Sequence, residues 1–295
     1  MRNFNKYIIP ITLVCISFAL FIYSTEEPIK NTSDTYQIKA LKIPNNLTFA
    51  GEAIPLNKPD VRERIDKELL VNTYWQSNAL LLIKRSHKFF PVIEPILAKN
   101  GIPDDFKYLA VIESGLENVT SSAGAKGFWQ LMPNTAKERG LEVNNNVDER
   151  YNIEKATEAA CDYLLQSKEK FGTWTLAAAA YNAGNRGISR NQEKQKVTDY
   201  YDLLLSSETQ RYVPRIIAIK EILSHPNHYG FIFDNEDLYK LEQTKLVTVD
   251  TAIHNIASFA QQMECNYKEL KLHNPWLREN HLNNKSRKKY EIKIP

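Results

Sequence analysis

Apolar and polar positions repeat at helical spacing through most of this chain. Val61, Ile65, Leu69 and Tyr74 form one stripe, and Leu80, Ile83, His87 and Phe90 continue it. Pro91 and Pro95 predict an interruption before Gly101. From Phe106 to Ile112 every residue but Lys107 is apolar or aromatic, so a helix buried on most sides is expected there. Pro103 suits its first turn, Asp104 and Asp105 favour its positive end, and Gly115 can close it. A short helix is predicted around Thr135–Arg139. Ala156, Ala160, Leu164 and Phe171 mark an amphipathic helix that begins near Ile153 and stops at Gly172. Thr173 can cap the next, Trp174–Asn182, whose Ala177–Ala180 run permits close packing. Ser207-Glu208-Thr209-Gln210 has the form of a capping box, opening a helix that should bend at Pro214 and run to about Leu223.

Both ends depart from this pattern. Arg2 and Lys6 precede an apolar run, Tyr7–Tyr23, so residues 1–23 are expected to be an export signal or a membrane anchor, cleaved or retained. Residues 24–60 are polar and contain prolines; they read as a tether whose end, Leu47–Leu56, packs on the helical domain of residues 61–230. In the last fifty residues the order is strand (Lys245–Val249), two helices (Ala252–Met263 and Tyr267–His273) and strand (Tyr290–Ile294), a small separate α+β module over 244–295. The fold class is therefore mainly α with an α+β tail.

Composition removes several functions. A net charge of +3 over 295 residues does not argue for nucleic acid. The six histidines are scattered, and neither a Cys-x-x-Cys nor a glycine-rich phosphate loop occurs, so no metal or nucleotide cofactor is expected. Cys161 sits among alanines as a small core residue; a pairing with Cys265 is left open.

One position carries chemistry. Glu113 falls four residues after Leu109 and three after Ala110, on an apolar stripe at a helix C-terminus. Desolvation and the negative end of the helix dipole both disfavour the carboxylate and raise its pKa, as a general acid near neutral pH requires. The alternative is a side chain turned to solvent at the last turn.

Glu113-Ser114, Gly127-Phe128-Trp129-Gln130 and Ala180-Tyr181-Asn182-Ala183-Gly184 follow in that order. With Val147-Asp148-Glu149-Arg150, Phe171-Gly172-x-Trp174 and Glu208-Thr209-x-x-Tyr212-Val213-Pro214, they resemble the soluble-lytic-transglycosylase catalytic domain, in its membrane-bound D-type branch, over residues 42–230. The resemblance implies a lysozyme-like helical fold that cleaves the MurNAc-β-1,4-GlcNAc bond of peptidoglycan without water, leaving 1,6-anhydro ends. It implies Glu113 as acid and then base, with Tyr181 donating its hydroxyl to Glu113. Gln130 and Asn182 would hydrogen-bond the sugar or its acetamide, although Asn182 can also serve as a helix end cap. Ser114, Trp129 and Met132 would complete the substrate side, with end-capping or core packing as alternatives. Phe128-Trp129 stands where the family commonly has Leu-Met, which bears on subsite shape. Asp148 or Glu149 would permit ordinary hydrolysis if either faced Glu113 across the cleft; local ion pairs are the other reading. The tail resembles a degenerate LysM glycan-binding repeat around Leu272-His273-Asn274-Pro275. Glycan strands and, through residues 7–23, the cell-envelope membrane are the implied partners, in a periplasmic setting; protein partners are left open.

Overall fold

The computed structural model describes residues 38–295. The expected export segment and the start of the tether lie outside them. Leu41–Pro295 is one compact unit.

A short hairpin, β1 (Thr48–Phe49) and β2 (Glu52–Ala53), begins it. Leu47, Phe49 and Ile54 are buried, so the end of the tether does pack on the helices. The hairpin's polar groups hold helix ends. Glu52 accepts hydrogen bonds from the backbone N–H groups of Trp174 (2.7 Å) and Thr175 (2.9 Å), a carboxylate at a helix N-terminus. Asp105 accepts from Ala50 N (2.7 Å) and pairs with Lys220 (2.7 Å).

Helix α1 (Pro59–Tyr74) buries Val61, Ile65 and Leu69, as its stripe predicts. Trp75 breaks the helical path, and α2 (Gln76–Lys99) follows. The interruption expected at Pro91 and Pro95 does not occur; both prolines lie inside α2. Each removes a backbone donor and costs about 3 kcal/mol in an isolated helix. Burial of Leu82, Ile83, Ile93 and Leu97 on the same helix holds it together regardless. The buried face is also rotated from the expected stripe: His87 is exposed and Ser86 buried.

A 3-10 turn (Asp104–Phe106) leads into α3 (Lys107–Ser114), which Gly115 closes in the left-handed region at φ 62°. After α4 (Pro133–Glu138), α5 (Ile153–Phe171) starts at Asn152 and ends at left-handed Gly172. Thr173 caps α6 (Trp174–Ala183), whose residues Thr175–Ala180 are all buried. Small side chains let α6 pack against both α5 and α8 (Ser207–Ser224). The α8 cap is Ser206, one residue before the expected box, and the helix continues through Pro214. Helix α7 (Asn185–Gln195) has no counterpart in the sequence pattern because it buries only Ile188.

The tail has the expected order: β3 (Lys245–Val249), α9 (Ile256–Gln262), α10 (Tyr267–His273) and β4 (Tyr290–Ile294). Its strands pair antiparallel, Lys245 opposite Ile294 and Val249 opposite Tyr290. It does not stand apart. Its core of Ile256, Leu270, Leu277 and Ile292 includes Val147 and Tyr151 of the helical domain. Backbone bonds join the two parts, Asp148 N to Trp276 O (3.0 Å) and Arg278 N to Asn146 O (2.9 Å). Cys161 and Cys265 are free thiols. Among the described residues no helix is long and apolar enough to cross a membrane.

Candidate active site

Glu113 is the penultimate residue of α3, half-buried and anchored in a helix whose Tyr108–Val111 stretch is buried. Its Oε1 accepts a short hydrogen bond from the hydroxyl of Tyr212, on α8. Burial pushes the Glu113 pKa up to about 7, opposed by the Tyr212 bond; nearby Glu208 raises it further and Arg215 lowers it. A carboxyl group poised near neutrality, partly open to solvent and held by a protonated phenol, can give up a proton and take one back.

Tyr212 stands in one of the motifs quoted from the sequence, but its role beside Glu113 is one that sequence reasoning missed. It lies on the buried face of α8 with Val213, Ile216 and Ile217, where an aromatic ring reads as core. Besides that motif, the signal was its hydroxyl, which needs a partner once the ring is buried. Burial first, then the Glu113 carboxylate, holds its pKa well above the ordinary phenol value, so it remains a donor.

Tyr181 does not donate to Glu113. Its hydroxyl donates to the backbone carbonyl of Trp129 (2.8 Å), and its ring lies edge-on to Tyr163 at 5.3 Å. The bond expected from α6 is made from α8, because α6 directs Tyr181 at the 127–130 turn instead. Tyr181 is still close enough for the Glu113 carboxylate to help burial hold its hydroxyl protonated.

The other expected site residues mostly build that turn. A Cβ on Gly127 would lie 1.9 Å from the Arg150 carbonyl oxygen, so only glycine fits there, at φ 77°. Ser114 is buried and its hydroxyl lies 2.9 Å from Phe128 O and 3.1 Å from Ala110 O, tying the turn to the catalytic helix. Gln130, at φ 45°, donates through Nε2 to Gly127 O (2.8 Å) and Val119 O (3.2 Å). Trp129 is fully buried, with its indole N–H donated to Thr157 Oγ1 (2.8 Å). The placement of Ser114 and Trp129 on the substrate side is therefore corrected: both are walled off from solvent. Met132 is exposed just past the turn. Asn182 donates to Glu208 Oε1 (3.1 Å) and accepts from Thr209 Oγ1 (2.8 Å), which joins the end of α6 to the first turn of α8.

Neither candidate second carboxylate faces Glu113. Asp148 forms a buried bidentate pair with Arg150, through Nε (2.9 Å) and Nη2 (2.8 Å). Arg150 also donates to Gly124 O (2.9 Å) and Leu131 O (3.1 Å), so this pair pins the loop that carries the turn. Glu149 is held by Lys155, Lys288 (3.2 Å) and the Glu142 N–H (2.7 Å). Local ion pairing is the correct reading of this segment. The carboxylate whose field reaches Glu113 is Glu208. Among the described residues no group of His, Cys, Asp and Glu could hold a metal ion.

Residues 91–204 match the family described as the transglycosylase SLT domain, and this stretch includes Glu113, Gln130 and Tyr181. Residues 245–295 match the soluble lytic transglycosylase C-terminal LysM-like domain. The chain is 31% identical over 191 residues to the membrane-bound lytic murein transglycosylase D of Escherichia coli strain K12, and equally to that of strain O6:H1. The aligned part is 62% of this chain and 41% of each relative, so the chain spans about two fifths of the length of those relatives. The SLT match stops at residue 204, before the α8 helix that supplies Tyr212.

Proposed function

We propose that the chain is a peptidoglycan lytic transglycosylase of the cell envelope, acting on the MurNAc-β-1,4-GlcNAc bond. The observation that carries this reading is Glu113, a half-buried carboxyl with a pKa of about 7 that lies within the SLT match and is bonded by Tyr212 from the helix beyond it. Protonated Glu113 donates to the glycosidic oxygen as the bond to muramic C1 breaks. The resulting carboxylate then takes the proton of the muramic C6 hydroxyl as O6 bonds to C1. The proton balance closes on one residue, and the product is a 1,6-anhydro end. With Asp148 and Glu149 occupied by cations, neither is placed to activate a water for hydrolysis. The similarity to membrane-bound relatives supports an envelope location.

Glu113→Gln tests the reading. It should remain folded and lose activity on purified sacculi by about three orders of magnitude or more, since acid and base steps both use this carboxyl. Clearance at a rate near that of the unaltered enzyme would remove Glu113 from the chemistry.

A further inference from the structure

Helix α7 (Asn185–Gln195) starts just past the Tyr181-Asn182 motif and buries only Ile188. Residues 185–196 hold four cations, Arg186, Arg190, Lys194 and Lys196, and one acid, Glu193. Their net charge equals the +3 of the whole chain, so the excess is concentrated here. All four cations are exposed, and none makes an ion pair, hydrogen bond or ring contact through its side chain with a described residue. A spacing of four sets Arg186, Arg190 and Lys194 in one row, on the side of the helix away from Ile188.

This row works against its own helix. Like charges four residues apart destabilise a helix, and Arg186 stands in the first turn, where the dipole disfavours a cation. Glu193, three residues after Arg190, does not pair with it. Such a face is relieved by an anionic partner. At the C-terminal end of the row, Gln195 clamps the backbone of Leu204. It accepts from the Leu204 N–H (2.8 Å) and donates to the Leu204 carbonyl (2.8 Å). Leu204, so fixed, is 74% exposed. A lone exposed leucine is ordinary; one held beside a row of unpaired cations has the make-up of a membrane-interfacial surface.

We infer that the outer face of α7, with Leu204, rests on a membrane surface bearing anionic lipid. The cations meet lipid phosphates and the leucine enters the headgroup boundary. An anionic polymer of the wall would answer the charges but not the leucine. Chain length agrees: with residues 7–23 as the anchor, residues 24–37 span at most about 50 Å, so residue 38 stays within reach of the bilayer. Because α7 follows Asn182 so closely, the contact holds the site near the membrane and directs cleavage to the strands beside it. The inference rests on the proposed function for the envelope location and for the substrate.

The full chain is mixed with vesicles of phosphatidylcholine alone, or of phosphatidylcholine with phosphatidylglycerol, and acylation of Lys194 and Lys196 is read by mass spectrometry. An anchor would bind either vesicle, so this local reading isolates the α7 face. Acylation of both lysines should fall about fivefold on the anionic vesicles, the worth of one cation at such a surface, and recover at high salt. Arg186→Gln/Arg190→Gln should melt no lower than the unaltered protein and leave Lys196 equally reactive on both vesicles. Leu204→Ser should weaken the protection. Equal acylation on the two vesicle types overturns the inference, as does protection that survives the double arginine variant. Protection by sacculi but not by vesicles gives the face to a wall polymer and overturns it too. Anhydro product is measured separately on soluble strands, where both variants should form it at the unaltered rate. Its absence from the unaltered enzyme refutes the proposed function and leaves the vesicle result standing.

Discussion

Glu113 was legible because a charged residue on an apolar stripe contradicts its surroundings, and burial then gives it the pKa of about 7. The same shift makes a stability prediction. The folded chain keeps this proton to higher pH than the unfolded chain, so the favourable contribution is complete below about 4.5 and is lost as pH rises through about 7. Ionising the group in place costs up to about 3 kcal/mol. Glu113→Gln should therefore melt several degrees above the unaltered protein at pH 8, with the gap closing towards pH 4 in a series of thermal melts; a gap independent of pH would contradict the buried-carboxyl reading. The bond from Tyr212 was not legible, although its motif was, since nothing in the sequence separates a phenol that bonds a catalytic carboxyl from one that fills a core. Its bond lowers the Glu113 pKa. Tyr212→Phe should accordingly move the alkaline limb of the kcat/KM profile up by about one pH unit, the worth of one hydrogen bond to a charged group. A limb that stays in place while the rate falls would give Tyr212 a packing role only.

At the scale of elements, the quoted motifs turn out to bond chiefly to backbone. Ser114 reaches Phe128 O, Tyr181 reaches Trp129 O and Gln130 reaches Gly127 O, so one turn is gripped from two helices and from within. The family resemblance implied side chains around a sugar; carbonyl acceptors are invisible in sequence, and that is why the inward roles of Ser114 and Trp129 stood there only as alternatives. Gly127→Ala tests the grip, because the added methyl would meet Arg150 O. It should lower both the melting temperature and activity, by about 3 kcal/mol or more in stability, in line with overpacking and a strained positive φ. Near-normal melting would show that the turn yields. Helix boundaries set by Gly172 and Thr173 were readable one residue at a time. The continuity of α2 through two prolines was not, because it depends on what packs against the helix.

At the scale of the molecule, the order of elements in the tail was readable and its docking was not. The contacts that dock it, Lys288 with Glu142 and Glu149, Tyr290 with Glu142, and Lys293 with Glu154, join residues far apart in sequence. They end on the 142–154 segment that holds Arg150, and Arg150 holds the loop of the turn. The sequence alone suggests that removing residues 244–295 leaves turnover on soluble oligomers within about twofold. The packing argues for more. Truncation would expose Val147 and Tyr151 and leave the buried Glu149 with Lys155 as its remaining cation. Activity on short soluble oligomers should fall by about tenfold with a lower melting temperature, consistent with losing a few kcal/mol of shared core. Unchanged turnover and melting would restore the tail as an independent module.

Glu113 should direct the muramic C6 hydroxyl, not water, onto C1. Mass spectrometry of sacculi digested by the full chain in ¹⁸O-labelled water tests it most directly. The expected muropeptides are lighter by one water than hydrolytic products, free of label at C1 and absent with Glu113→Gln. Reducing ends that carry ¹⁸O would contradict it and make the enzyme a muramidase.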